Sequence, residues 1–290
     1  MMSRQEGNEK ISPTARYVAH IRTYTDIPYA KEIAEESQAE RDFQALAGES
    51  AESVIQLTPI WEARYKATNR IIAQRRITQV LELAAGLSPR GLALTENPGV
   101  VYVATDLPQI LAQIKTLAGV ILAKLPSQRP NLYFRVVNAL ERDELLQAAS
   151  PFQSGRPIAV ITEGLLSYLT RAEKETLAAN IHALLKEYGG IWITPDVSSK
   201  QSWQRIAQDD ENCVQQRIRN ISGATGSDIE NNTFVDEDDM RQFFSKAGFA
   251  IEEYPHTSVI DELTSIASLN LNRERVLKLL RVTKTLILTA

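Results

Sequence analysis

The chain has 290 residues, of which 43% are apolar and 23% charged, as in an ordinary globular protein of one large or two small domains. Its single cysteine, Cys213, excludes an intramolecular disulfide, and no apolar run reaches the roughly 20 residues that a membrane-spanning helix needs. The net charge of −4 gives no general attraction to nucleic acid. We therefore expect a cytoplasmic protein, monomer or homodimer, with neither a nucleic-acid nor a membrane partner.

Residues 1–75 are predicted to form an N-terminal helical cap. A first helix begins at Pro13, with the preceding serine as its N-cap. The run Asp26-Ile27-Pro28 interrupts it, and a second helix is expected from Tyr29 to about Leu46. A third helix begins at Pro59 and ends before the first convincing strand.

From residue 76 onwards, short apolar strands alternate with helical segments. Strands are predicted at 77–83, 100–105, 131–137, 158–162, 191–195, 249–254 and 284–288. This alternation indicates a Rossmann-like α/β domain over 76–290, with a mostly parallel seven-stranded sheet and helices on both faces. The mostly polar stretch at about 197–235 is interpreted as a lid insertion, with a helix expected at Gln204–Arg219.

A turn of small residues follows the first predicted strand. The stretch Glu82-Leu83-Ala84-Ala85-Gly86 leads into this turn, and the second strand ends at Asp106, 20 residues after Gly86. Small residues let the backbone come close to a ligand, and a carboxylate at this spacing accepts hydrogen bonds from ribose hydroxyls. The pattern therefore predicts a ribose-bearing cofactor, although a turn chosen only for packing has the same appearance.

The glycines that cradle a pyrophosphate are missing from this turn. Pro89-Arg90-Gly91 stands where a dinucleotide-binding protein needs its close-packing glycine. A cofactor without phosphate suits such a turn, and S-adenosyl-L-methionine is that cofactor. A nicotinamide-dependent oxidoreductase shares the strand, turn and acid and stays as the weaker alternative.

A second candidate segment lies at the end of the fourth strand. The sequence Thr162-Glu163-Gly164-Leu165-Leu166-Ser167-Tyr168-Leu169 places a carboxylate at the carboxyl edge of the sheet, where open α/β folds bind ligands. Together with Glu82–Gly86, Arg90 and Thr105-Asp106-Leu107-Pro108, it resembles the leucine carboxyl methyltransferase family. The bacterial branch of that family, similar to O-methyltransferases of polyketide biosynthesis, is the better match. The resemblance covers roughly residues 12–195.

The resemblance implies a class I methyltransferase fold, S-adenosyl-L-methionine as cofactor and S-adenosyl-L-homocysteine as product. Arg64 would pair with the methionine carboxylate, Asp106 would hold the ribose hydroxyls, and Glu163 would lie beside the methionine end. Asn138 would approach adenine at a position where the family commonly has an acid. The predicted cofactor-binding residues are Arg64, Glu82, Gly86, Asp106, Leu107, Asn138, Ala139, Glu163 and Gly164.

The expected reaction is methyl transfer to a carboxylate or hydroxyl of a small, secondary-metabolite-like acceptor. A hydroxyl acceptor benefits from a general base, and a carboxylate needs none. The weak candidates for a catalytic role are Tyr168, His20 and His256, and the sequence has no metal-binding motif. A non-catalytic, cofactor-binding or regulatory member of the fold remains the alternative.

Overall fold

A seven-stranded sheet organises the protein. The computed structural model describes residues 13–126, 128–197, 199–207, 220, 222–223 and 225–290. The strands are β1 Gln79–Leu83, β2 Val101–Asp106, β3 Leu132–Val136, β4 Ile158–Thr162, β5 Gly190–Thr194, β6 Ala250–Pro255 and β7 Lys284–Thr289. They lie in the order β3-β2-β1-β4-β5-β7-β6, with β7 antiparallel to both neighbours and the other pairs parallel. The prediction of a mostly parallel, Rossmann-like sheet is confirmed.

Helices precede the sheet, cover both of its faces and follow β6. The α-helices are α1 Pro13–Arg22, α2 Ala30–Glu36, α3 Ala39–Ala47, α4 Ala51–Ile55, α5 Thr58–Gln74, α6 Arg90–Leu94, α7 Pro108–Ala123, α8 Arg142–Ala148, α9 Arg171–Tyr188, α10 Lys200–Ala207, α11 Ile229–Asn232, α12 Glu237–Lys246, α13 Ser265–Ser268 and α14 Arg273–Leu280. Short 3-10 helices span Gly48–Ser50, Leu166–Tyr168 and His256–Glu262. Within the described residues, no helix has the length and apolar character needed to cross a membrane.

The central strands are buried on both faces because helices cover each side. In β1, Leu81 joins one apolar core while its neighbour Val80 joins the core of the opposite face, as the two-residue period of a strand requires. The strand order reverses between β1 and β4, where β1 pairs in parallel with β2 on one side and β4 on the other. Open α/β sheets bind ligands outside the carboxyl ends of the strands at such a reversal. The sheet therefore places Gly86, Asp106 and Glu163 around one crevice.

Two stretches differ from the expected helices. The single helix expected from Tyr29 to Leu46 is two helices, α2 and α3, because Gln38 adopts a left-handed φ of 54° and ends the first. The residues after β6 form further helices, including α14, that the sequence did not predict. Residues 208–219 of the helix expected at Gln204–Arg219 lie outside the described residues.

The helices before β1 have an apolar cluster of their own. Tyr17 of α1 packs against Phe43 of α3 with ring centroids 5.4 Å apart and against Trp61 of α5 at 6.2 Å. Ile21 belongs to the same cluster, which is distinct from the two cores on the sheet faces. The first helix is thus anchored on one side by aromatic packing, while its other side faces the sheet edge. The division into a cap and a methyltransferase domain at residue 75 stays a prediction.

Candidate active site at the carboxyl edge of the sheet

The turn after β1 is wound tightly by two left-handed residues. Ala84 and Gly86 both have φ of 50°, and the Ala85 N–H donates to the Thr105 carbonyl oxygen at 2.8 Å. A left-handed alanine costs about 1–2 kcal/mol, and such strain is concentrated at functional sites. The turn thereby brings its backbone against the end of β2.

Asp106, the last residue of β2, faces this turn. Its two carboxylate oxygens accept the Gly86 N–H and the Leu107 N–H, each at 2.9 Å. Burial raises the pKa of Asp106 to about 6, although both backbone N–H groups act to lower it. A buried carboxylate held only by neutral donors suits neutral hydrogen-bond donors such as ribose hydroxyls.

A fully buried arginine lies under the turn. Arg90 donates from Nε to Asn69 at 2.9 Å, from Nη1 to Glu82, and from Nη2 to Glu163 at 2.7 Å. Its guanidinium also lies over the Tyr65 ring, 4.8 Å from the centroid. Burial lowers the pKa of Arg90, but the two carboxylates raise it further, so the guanidinium stays charged.

Glu82 has its carboxylate occupied by protein groups. Besides the hydrogen bond from Arg90, the Glu82 carboxylate accepts hydrogen bonds from the Ser88 hydroxyl at 3.0 Å and the Tyr102 hydroxyl at 2.5 Å. Glu82 is only 2% exposed. The structure therefore gives Glu82 a role in bracing the turn. A direct contact between Glu82 and the cofactor stays a prediction.

Glu163, directly after β4, is the charged counterpart of Asp106. Burial alone would raise its pKa, but Arg90, Arg22 and Arg64 together lower the pKa of Glu163 to about 2. Arg22 Nη2 donates to one Glu163 oxygen at 3.0 Å while Arg90 occupies the other. Glu163 is consequently ionised at all ordinary pH values.

Asp196 is a site residue that the sequence analysis missed. It follows β5 and accepts the N–H groups of Gly164 at 2.8 Å, Leu165 at 2.7 Å and Leu166 at 3.2 Å. It also pairs with Arg64, which projects from α5. Asp196 therefore fixes the turn that carries Glu163. Its position after a predicted parallel strand was the available signal, because such positions meet at one edge of the sheet.

These groups form a cluster with no net charge that suits a zwitterion. The amino-acid group of the cofactor brings one carboxylate and one ammonium group, so this group leaves the charge balance of the cluster unchanged. Among the described residues, the Nε atoms of Arg64 and Arg22 are buried and have no hydrogen-bond partner, which leaves donors for a carboxylate. A Cβ placed on Gly164 would meet nothing within 4 Å, so there is open space beside Glu163. The residues present therefore fit the methionine end of the cofactor. The three arginines and three carboxylates are Arg22, Arg64, Arg90, Glu82, Glu163 and Asp196.

The predicted adenine contacts lie after β2 and β3. Leu107 is the extended N-cap residue of α7 and is partly exposed. Asn138 accepts the Leu140 N–H at 3.1 Å, while its own N–H donates to Glu144 at 2.7 Å. The Ala139 carbonyl accepts from Asn180 at 3.2 Å. The loop after β3 is thus held in place with Asn138 partly exposed, and its contact with adenine stays a prediction.

The three catalytic candidates differ in how much each is already engaged. The Tyr168 hydroxyl donates to Thr14 Oγ1 at 3.0 Å. His256 is 1% exposed, with Nδ1 and Nε2 each 2.9 Å from a threonine hydroxyl, and burial with nearby Arg64 lowers its pKa to about 3. His20 is partly exposed and stacks on Phe43 at 4.4 Å, and burial lowers its pKa despite Glu40. Of the three, His20 and Tyr168 are partly exposed and His256 is buried.

A cavity of about 650 Å³ lies along α5 beside Arg90, since Tyr65 and Asn69 both line the cavity and contact Arg90. Its lining includes Tyr65, Lys66 and Glu262, and no residue of the predicted cofactor set contributes to it. Within the described part of the chain, no group of three or more His, Cys, Asp or Glu side chains is placed to hold a metal ion.

Curated relatives match part of the chain. A "Putative S-adenosyl-L-methionine-dependent methyltransferase" of Mycolicibacterium paratuberculosis is 35% identical over 113 residues, which is 38% of this chain and 35% of that protein. A protein of Mycolicibacterium smegmatis with the same description is 33% identical over 117 residues, 40% of this chain and 38% of its own length. The chain thus spans little more than a third of either relative in these alignments.

Solved structures and a family model extend the comparison. A crystal structure of a "putative methyltransferase" from Thermobifida fusca covers 86% of this chain and 88% of its own with a TM-score of 0.56 at 15% identity. A DUF574 family protein from Streptomyces avermitilis covers 95% and 96% with a TM-score of 0.57 at 14% identity, and these likenesses show the fold. The leucine carboxyl methyltransferase model matches residues 14–182, more than half of the 290 residues. That range contains the turn, Asp106, Arg64 and Glu163, so the chain belongs to the leucine carboxyl methyltransferase family.

Proposed function

We propose that the protein is an S-adenosylmethionine-dependent O-methyltransferase that acts on a carboxylate or hydroxyl of a small acceptor. The family and its fold indicate the cofactor. One observation carries the proposal: two carboxylates with opposite pKa shifts, Asp106 and Glu163, lie at the carboxyl ends of the strands that flank β1 and its Gly86 turn. One suits a ribose and the other an ammonium group, and S-adenosylmethionine contains both.

The chain's own residues would hold the cofactor by complementary charge. Arg64 would donate to the methionine carboxylate through its unpaired Nε, and Glu163 would accept the ammonium group. Asp106 would accept the ribose hydroxyls, and Gly86 would let the backbone approach. The bound cofactor supplies an electrophilic methyl group on a sulfonium. Holding donor and acceptor in line contributes roughly 7–11 kcal/mol in favourable cases.

The nature of the acceptor decides whether a base is required. A carboxylate acceptor is already a nucleophile, whereas a hydroxyl must lose a proton. Burial lowers the pKa of His20, which favours the neutral imidazole that would accept a proton from a hydroxyl acceptor. Tyr168 and His256 are held by threonine hydroxyls and would shape the pocket.

Calorimetric titration tests the cofactor assignment. We expect S-adenosylhomocysteine to bind with micromolar affinity and NADH not to bind. Binding of NADH alone would favour an oxidoreductase instead, and no binding of S-adenosylhomocysteine or S-adenosylmethionine at millimolar concentration would overturn the proposal.

The acceptor class has its own test. The protein is incubated with S-adenosylmethionine carrying a labelled methyl group and separate panels of small carboxylic acids and phenols. A methyl ester releases labelled methanol in dilute alkali, whereas a methyl ether keeps its label. The expected product belongs to one of these two kinds. Cofactor binding without transfer to either panel would favour a non-catalytic member of the fold.

A further inference from the structure

One face of α1 lies across the turn that follows β1. Ala15, Ala19 and Arg22 are spaced at i, i+4 and i+7 and therefore share that face. A Cβ added to Gly86 would lie 3.6 Å from the Ala15 Cβ, which is ordinary van der Waals contact. Ala19 packs in a cluster with Leu87. The first helix thus forms the roof over the proposed cofactor turn.

Arg22, the last residue of α1, joins this roof to two separate segments of the site. Its Nη2 donates to Glu163 after β4 at 3.0 Å, and its Nη1 donates to the Leu87 carbonyl oxygen after β1 at 3.4 Å. The residue is 6% exposed, so both contacts are shielded from water. Planar guanidinium groups can make two such contacts at once, whereas a lysine ammonium is a single point charge.

Besides Arg22, α1 is attached to the carboxyl edge by a hydrogen bond to the segment after β4 and by small apolar contacts. On its opposite side, Tyr17 and Ile21 pack with α3 and α5, in a cluster separate from the cores of the sheet. At its beginning, Thr14 accepts a hydrogen bond from Tyr168. The small side chains of Ala15 and Ala19 give only modest apolar contact with the turn. Within the described residues, Arg22 supplies the buried ion pair between α1 and the carboxyl edge.

We propose that Arg22 is a positioning residue that fastens α1 over the bound cofactor and thereby sets how long the cofactor stays. This proposal rests on the proposed function. Arg22 orients the Glu163 carboxylate for the ammonium group and keeps the roof closed above it. A ligand that binds or leaves must pass α1, because Ala15 lies against Gly86. Loss of the Arg22 contacts therefore accelerates release more than it alters folding.

The test measures how fast labelled S-adenosylhomocysteine leaves the protein when excess unlabelled ligand is added. Arg22→Met is expected to increase the release rate by about tenfold, which corresponds to the loss of one charge-assisted hydrogen bond. Arg22→Lys keeps the positive charge, so its release rate should lie between those of the wild-type protein and Arg22→Met. The matched control is Arg16→Met, which removes the ion pair of Arg16 with Asp42, 3.0 Å long, from the same helix without touching Glu163. It should release ligand within about twofold of the wild-type rate.

Hydrogen exchange of residues 14–22 provides a second readout. In the wild-type protein, S-adenosylhomocysteine should slow exchange in α1, and in Arg22→Met this protection should be largely lost. Thermal unfolding of both methionine variants shows whether they fold equally well. If Arg22→Met does not fold, the release rate of Arg22→Lys tests the proposal instead. An unchanged release rate in Arg22→Met and Arg22→Lys, or an equal increase in Arg16→Met, would overturn the proposal. Failure of the wild-type protein to bind the ligand would instead overturn the proposed function, and this inference with it.

Discussion

The two carboxylates of the crevice have opposite surroundings. Asp106 is held by two backbone N–H groups, and burial raises its pKa to about 6. Glu163 is equally hidden from solvent, yet arginines lower its pKa to about 2. Both follow or end parallel strands at the same edge of the sheet. The difference therefore comes from the neighbours that the fold supplies.

This contrast separates recognition of a neutral group from recognition of a charged one. A carboxylate with neutral donors can be shared with hydroxyl groups at little cost, because no ion pair has to be broken. A carboxylate among arginines favours a ligand group whose own charges cancel, because an unpaired buried charge costs free energy. Substitutions at Asp106 and Glu163 can show whether the ribose end and the amino-acid end of the crevice act independently.

The largest effect is expected from removing the cation under the turn. Arg90→Met leaves Glu82 and Glu163 buried without their shared counter-ion, which should lower the free energy of unfolding by about 3–5 kcal/mol. Urea denaturation measures this loss. The control Arg273→Met removes an exposed ion pair with Asp261 and should change stability little. Stability of Arg90→Met near the wild-type value would mean that the network does not support the turn.

The next largest effect is expected from a substitution at Glu163, at the amino-acid end of the crevice. Glu163→Gln should weaken S-adenosylhomocysteine binding at least about tenfold, because a charge-assisted hydrogen bond to the ammonium group is lost. It should leave binding of 5′-methylthioadenosine, which lacks the amino-acid group, within about twofold. Calorimetric titration of the two ligands gives both values. Equal weakening of both ligands would show that Glu163 holds the whole crevice together and does not act on the methionine end alone.

Ligand binding at Asp106, the ribose end of the crevice, should depend on pH, whereas binding at Glu163, the amino-acid end, should not. The ionised form of Asp106 accepts hydroxyl donors, so ligand affinity should fall as the pH drops through about 6, approaching tenfold per pH unit below it. The affinity for 5′-methylthioadenosine, measured between pH 4.5 and 8, isolates this end. Asp106→Asn should bind more weakly at pH 8 and lose the dependence. Persistence of the pH dependence in Asp106→Asn would assign it to another group.

The smallest effect is expected in the strained turn after β1, which lies between Asp106 and Glu163. Ala84→Gly removes the cost of a left-handed alanine but makes the unfolded chain more flexible, so the net gain in unfolding free energy should be below about 1 kcal/mol. Ala85→Gly, whose position has no positive φ, should instead be destabilising by a similar amount. Urea denaturation compares them. Destabilisation by both substitutions would mean that the alanine methyl group packs usefully.

The sheet could be predicted closely because its signals are local. Strand β4 lies at the predicted bounds, since a continuous apolar run defines its own ends. The capping box of Thr170 and Glu173 fixes where α9 begins. The break at Gln38 was missed because a left-handed glutamine depends on how α2 and α3 pack, and no local residue announces it.

From residue patterns, the candidate site was predictable where it coincided with strand ends, whereas Arg64 on α5 entered through the family resemblance. Gly86, Asp106 and Glu163 follow from topology, because the ends of parallel strands meet at one edge. Asp196 was overlooked although it too follows a predicted strand. Arg22 was not found because its contact with Glu163 joins residues 141 positions apart in the chain. Such contacts depend on tertiary packing, which single-sequence periodicity does not encode.

The balanced cluster around Glu163 has a consequence for turnover. In the proposed binding mode, its arginines and carboxylates would contact the amino-acid group and Asp106 would contact the ribose, two parts that the methyl donor and the spent cofactor have in common. None of these groups would contact the transferred methyl group, so they would bind S-adenosylmethionine and S-adenosylhomocysteine with similar strength. We therefore expect S-adenosylhomocysteine to compete strongly with fresh donor. Sustained catalysis would then depend on its continuous removal from the surrounding solution.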